Sequence, residues 1–232
     1  MSATTGKLSL EVVREKLPYQ PLLLGTVALL AGAALTFSYN ATREYIVAAE
    51  ARDMQQTLAQ VLPAGFADND LLKDVIEVDG VKPGSKRKIH LAKKGGVIIG
   101  AVFGVAERGY AGEISLLLAV DSAGTVLGVR VLKHTETPGL GDKIEIAKNP
   151  WIKSFDGKAL GNPAAEKWAV KKDGGIYDSF AGATITPRAV VKGIKGGLEY
   201  FAAHRKEIMA QGSARSAGAP ADMTHAVKGG ES

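Results

Sequence analysis

The sequence predicts an α+β protein, with one N-terminal membrane-spanning helix followed by an antiparallel-rich sheet and flanking helices. Three observations carry this. Residues 17–42 contain no charged side chain. Between residues 74 and 131 the pattern changes to short β-rich runs separated by turn signals. From Pro187 to about Lys206, Val190, Val191, Ile194, Leu198 and Phe201 recur at helical spacing, giving one apolar face.

The anchor comes first. Residues 22–37 are almost wholly apolar, and with their flanks they reach the roughly 20 residues that a spanning helix needs. Tyr19 and Tyr39 sit at the two ends, where amphipathic rings favour the interface. A cleaved signal peptide would have a shorter apolar region, closed by a small-x-small site. Here the run continues past Ala31–Ala34 through Phe37, so a retained anchor over 17–42 is the expectation. Lys7, Arg14 and Lys16 precede it and only Arg43 borders its far side, although Glu11 and Glu15 share the leader. That bias places residues 1–16 in the cytoplasm and the body of the chain outside it.

A second helix is predicted from Arg43 to Leu62, with Val47, Met54, Leu58 and Val61 near helical spacing and Pro63-Ala64-Gly65 ending it. Strand-like runs follow at 75–78, 96–103, 114–120 and 126–132. Asp121-Ser122-Ala123-Gly124 is a hairpin turn signal, and so short a loop requires antiparallel pairing. Lys86-Arg87-Lys88 and Lys93-Lys94 are taken as solvated turn charges. A short helical pattern lies near residues 143–148. In the last helix Pro187 suits the first turn, with Thr186 as its N-cap. A globular domain over 43–206 and a disordered Gly/Ala/Ser-rich tail over 207–232 complete the expected organisation.

Composition excludes several chemistries. There is no cysteine, which removes disulfides, thiolate catalysis, iron–sulfur ligation and c-type haem. The four histidines, at 90, 134, 204 and 225, are too scattered for a metal site. The net charge of +5 comes without a basic stripe interleaved with aromatics, so nucleic acid is not an expected partner. A redox protein of this composition has to use an organic cofactor.

Two loops carry candidate chemistry. The first runs from His134 to Lys143, after a strand and before a helical pattern. Gly139 and Gly141 let backbone approach a ligand, Pro138 stiffens the loop, Thr137 and the amides can bond a polar ring edge, and Leu140 can pack on a ring face. By itself the loop reads as a plain polar turn. The second loop, Asp178-Ser179-Phe180-Ala181-Gly182-Ala183-Thr184, runs into the helix at Pro187. A helix N-terminus suits a phosphate, and Thr184 lies just before one. Gly182 and Ala183 are small enough for a second protein to grip the backbone beside Thr184, and Asp178 has the charge to orient that protein or its metal. Read blandly, Asp178 and Thr186 cap turns.

The second loop resembles the short motif at which a flavin transferase esterifies FMN onto threonine. Ser179 and Ala181 depart from the usual Gly and Ser/Thr, and the acceptor hydroxyl remains. With Gly109-Tyr110-Ala111-Gly112, the 127–133 strand, the 134–143 loop and Trp168-Ala169-Val170-Lys171-Lys172-Asp173-Gly174-Gly175, the chain from about Pro18 to Lys206 resembles the RsxG family, the G component of the Rnf (Rsx) ion-translocating electron transport complex. It is more distantly similar to the C component of the sodium-translocating NADH:quinone reductase. The resemblance implies FMN bound covalently through its phosphate to Thr184. It implies a ring lined by Glu136, Thr137, Pro138, Gly139, Leu140 and Gly141, with Gly109-Tyr110 a weaker candidate. Asp178, Gly182 and Ala183 complete the expected cofactor-binding set. No catalytic residue and no metal site are expected.

The implied function is a flavoprotein electron carrier in a membrane-bound, ion-translocating ferredoxin:NAD oxidoreductase. Its partners would be the other components of the Rnf complex, a flavin transferase acting transiently, and the lipid bilayer. The implied location is the bacterial inner membrane, with a periplasmic C-terminal domain. The alternative is a membrane-anchored FMN-binding sensory or regulatory domain. The roughly 16 residues ahead of the anchor are few for an output domain.

Overall fold

The structure, a computed structural model, describes residues 19–80 and 84–218. Two compact units divide the chain, 1–53 and 54–232. The expected cytoplasmic segment 1–16 and the end of the expected tail, 219–232, lie outside the described residues.

Helix α1, Tyr19–Val61, is continuous where the sequence suggested an anchor and then a separate helix. Nothing between Asn40 and Glu44 breaks a helix, as neither Gly nor Pro occurs there. Over Gln20–Val61 it is long and apolar enough to cross a membrane, with a mean hydropathy of 1.8 in its most apolar window. Leu22, Leu24, Leu29, Leu30 and Leu35 are all exposed, so this part is apolar on every side. The hydroxyls of Thr26, Thr36 and Thr42 each turn back to the carbonyl four residues earlier, at 2.8 Å. That satisfies groups that hydrocarbon would leave unpaired.

The second unit is built on a five-stranded antiparallel meander in sequence order, confirming the α+β class. The strands are β1 (Val75–Asp79), β2 (Lys86–Lys94), β3 (Val97–Arg108), β4 (Glu113–Asp121) and β5 (Val126–Lys133). Strand β2 corrects the sequence reading, because the lysine groups at 86–88 and 93–94 belong to it and not to turns. Ile89 and Leu91 between them are fully buried, with Ile89 opposite Phe103. Lys93 is buried as well, its ammonium 2.6 Å from Asp74. The charges at both ends of the strand masked the inward alternation at its centre.

Helix α2, Ile185–Gly218, packs on one face of the sheet. Val190, Val191, Ile194, Leu198 and Phe201 are buried there as the periodicity predicted. The Phe201 and Phe103 rings lie nearly parallel, 6.2 Å apart. The helix continues beyond Lys206, where the sequence suggested disorder. Ile208 is fully buried, and a Cβ at Gly212 would come within 2.6 Å of Leu91 and Ile98, so the extra turns are held by the sheet. The connection from β5 to α2 holds only 3₁₀ turns, Asp142–Ile144, Pro150–Phe155, Ala165–Lys167 and Lys171–Asp173, in place of the short helix suggested near 143–148.

On the opposite face, Leu58 and Val61 pack with Val102, Leu117 and Ala119. Gly128 of β5 sits directly beneath the end of α1, where a Cβ would collide with the Val61 carbonyl oxygen. The obstacle is backbone, which yields poorly. Gly128→Ala should therefore destabilise the chain by about 1–3 kcal/mol. Urea unfolding followed by tryptophan fluorescence measures this, and an unchanged midpoint would show that the end of α1 is free to lift.

Candidate functional site

Three segments meet at the start of α2. The first is the β3–β4 turn, closed by the Gly109 N–H donating to the Gly112 carbonyl at 2.8 Å. Its tip carries Tyr110, 72% exposed.

The second segment is the loop after β5. The Leu140 and Gly141 amides both return to the Thr137 carbonyl, at 3.2 and 3.0 Å, which makes a tight turn and lifts Leu140 to 42% exposure. Gly139 takes φ +78° there, a conformation that side chains with a Cβ resist. Behind the turn, Glu136 is only 4% exposed. Its Oε1 accepts the Tyr110 and Ala111 amides at 2.9 and 3.1 Å, and its Oε2 accepts the Thr186 hydroxyl. The Glu136 N–H donates to His134 Nδ1 at 3.1 Å, which leaves Nε2 to donate to Glu145 at 2.7 Å.

The third segment is the 178–184 loop. Ala183 N–H donates to the Phe180 carbonyl at 3.2 Å, with Gly182 at φ +79° in the position a type II turn reserves for glycine. An aromatic cluster supports it. Trp151 meets Phe180 edge-on at 5.2 Å, and its indole N–H donates to the Asp178 carbonyl at 2.9 Å. Phe155 and Tyr177 stack beneath at 4.3 Å. Burial raises the Tyr177 phenol far above its ordinary range.

These segments enclose a cleft of about 580 Å³, a size suited to a small-molecule cofactor. Of the predicted residues, Glu136, Thr137, Leu140, Gly141, Gly182, Ala183 and Thr184 line it. Pro138 and Gly139 shape the loop without lining the cleft. Asp178 points elsewhere, paired with Lys171 at 2.7 Å and well exposed. Thr186 is not the expected N-cap, because α2 starts at Ile185 and the Thr186 hydroxyl is taken by Glu136.

Sequence reading gave no role to two lining residues, Ile185 and Lys172. Ile185 is 46% exposed at the cleft. Lys172 donates its ammonium to the Thr184 hydroxyl at 3.2 Å. The cause lies next door, where Arg188 in the first turn of α2 makes two 2.6 Å bonds to Asp173 and ties the 171–173 turn to the helix. The signal was present only as a charged pair before Gly174-Gly175.

The donor set fits a phosphorylated flat ring. A half-buried threonine hydroxyl stands at the start of a helix beside a cation, which suits a phosphate. Tyr110, Leu140 and Ile185 offer exposed apolar surface for a ring.

The FMN-binding domain family matches residues 109–199, a span that contains every residue lining the cleft. The G component of the ion-translocating oxidoreductase complex of Cereibacter sphaeroides is 47% identical over 189 residues, covering 82% of this chain and 86% of the relative. The same component from Stutzerimonas stutzeri is 46% identical over 192 residues, covering 83% and 84%. This chain belongs to that G-component family. Among solved structures, the crystal structure of Shewanella oneidensis NqrC aligns with a TM-score of 0.44 at 23% identity, covering 62% of this chain and 75% of that one.

Below the cleft loop, the Gly139 amide and then the Lys148 ammonium hold the Asp142 carboxyl below the usual carboxylate range. Lys148 and then His134 do the same for Glu145. Lys148 lies 2.9 Å from Asp142 and 2.8 Å from Glu145. A lowered carboxylate contributes stability that is complete above its unfolded pKa, about 4, and is lost as pH falls through the folded value. Lys148→Met should therefore lower stability at neutral pH and flatten its decline below about pH 4. Urea midpoints measured from pH 7 to 2.5 test this, and a slope equal to the wild type's would remove Lys148 from the account.

Proposed function

We propose that this protein is the flavin electron carrier of a membrane-bound, ion-translocating ferredoxin:NAD oxidoreductase complex, with FMN esterified through its phosphate to Thr184. The observation that carries the reading is the Lys172–Thr184 contact at the start of α2. Thr186, the neighbouring candidate hydroxyl, is 1% exposed and donates to Glu136, so it is closed to modification. Membership of the G-component family and the FMN-binding domain match support the cofactor and the partners, which are the other components of the complex.

Bound FMN supplies the electron-transfer chemistry. The chain's own residues hold and screen it. Lys172 and the first turn of α2 balance the charge of the phosphodiester. Tyr110, Leu140 and Ile185 line the cleft and would offer the ring apolar surface that limits water. Thr137 offers polar groups to the ring edge. Asp178, exposed outside the cleft, stays available to the flavin transferase that makes the ester. A covalent link prevents loss of the cofactor outside the cytoplasm. Helix α1 anchors the protein in the inner membrane, and the flavin domain lies on the periplasmic side.

Thr184→Val keeps side-chain volume and removes the acceptor oxygen. After co-expression with a flavin transferase, in-gel flavin fluorescence of the denatured band should fall to background while the variant still folds. Undiminished fluorescence would refute the assignment to Thr184. For topology, alkaline phosphatase fused after Lys206 should be active and green fluorescent protein at the same place dark. The reverse pair of results would put the domain in the cytoplasm.

A further inference from the structure

Glu136 lines the cleft, yet both of its carboxylate oxygens are already engaged by the protein. Oε1 holds the Tyr110 and Ala111 amides, and Oε2 holds the Thr186 hydroxyl. All three partners are donors, the set an ionised carboxylate takes. No cation pairs with it among the described residues. The surrounding backbone is shaped to it. Gly109 and Gly141 flank the carboxylate, and neither has a positive φ, so neither is glycine for conformational reasons. Space is the reason. A Cβ at Gly141 would come within 2.9 Å of both Glu136 Cβ and the Thr186 hydroxyl, and one at Gly109 would strike Glu136 Oε1 and approach Ile114 to 2.7 Å.

The carboxylate therefore bridges three segments at the cleft, within a frame that the packing of α2 on the sheet and the Lys192–Glu107 pair at 2.9 Å already hold. The three segments are the turn carrying Tyr110, the loop carrying Leu140, and the first turn of α2, two residues past Thr184. We propose that Glu136 is a positioning residue for the flavin and not a ligand of it. It sets the width of the cleft between Tyr110 and the Thr184 attachment point, and it places an uncompensated negative charge in the cleft wall that opposes added negative charge on the ring. The proposal rests on attachment at Thr184. A carboxylate without a counter-ion costs the fold desolvation that an apolar side chain would avoid, which is why a purely structural strut is the weaker account.

The test uses the full chain, co-expressed with a flavin transferase and purified in detergent, as wild type, Glu136→Gln, Glu136→Ala and Thr186→Val. Intact mass should show the FMN ester on all four, because the ester needs the Thr184 hydroxyl and not the wall. Glu136→Gln keeps the side-chain shape and removes the charge, so its flavin midpoint should move to more positive potential. Fluorescence anisotropy of the flavin should fall in Glu136→Ala and, less, in Thr186→Val, as the ring gains freedom. If Glu136→Ala does not fold, the other two variants decide. A Glu136→Gln midpoint equal to wild type, or an ester missing from the Glu136 variants but present on wild type, would overturn the positioning role. A wild type without the ester would overturn the Thr184 assignment itself, and this proposal with it.

Discussion

The close seating of α2 on the sheet governs the rest of the domain. Gly197 makes it possible, since a Cβ there would come within 2.8 Å of both Leu118 and Val105. With that space left open, Phe201 stacks on Phe103, and Val190, Val191, Ile194 and Leu198 are buried. Each such side chain contributes about 1.5–3 kcal/mol on full burial. A hydrogen bond at the cleft contributes about 1 kcal/mol net. Apolar packing therefore decides where the helix lies, and the polar contacts at its first turn follow from that placement.

Because the helix is fixed from its middle, its N-terminal turn is presented at a set place. The 178–184 loop reaches it across a rigid support of Trp151, Phe155, Tyr177 and Phe180. The Thr184 hydroxyl is thus bordered by packing on one side and by Lys172 on the other. A constant environment for a bound group comes from placing the cleft where a helix, an aromatic cluster and a tight turn converge.

The cleft also shows how polar groups are distributed between building and binding. Glu136 and Thr186 are buried and satisfied by one another and by backbone amides. Lys172 and Thr184 stay open to the cleft, while Arg188 is used up in positioning Lys172 through Asp173. Asp178, charged and within the 178–184 loop, turns outward to Lys171.

By itself the sequence determined what local chemistry can specify. The apolar run of α1, the short β-rich runs of β1, β3, β4 and β5, and the 3.6-residue face of α2 all carry their signal in neighbouring residues. So does the 178–184 loop, whose Gly182, Ala183 and Thr184 line the cleft. Tertiary structure decided the remainder. Strand β2 was hidden by its charges, of which Lys93 alone among the lysines is buried, against the distant Asp74. The last turns of α2 were hidden by Gly212, which fits a helix there because Leu91 and Ile98 of the sheet lie against it. Lys172 reaches Thr184 through the Arg188–Asp173 pair, and Glu136 joins residues 110, 111 and 186, far apart in the chain. Periodicity and motifs report a residue's own neighbourhood along the chain. Which distant hydroxyl, amide or ammonium arrives beside it is set by the packing of the helix on the sheet.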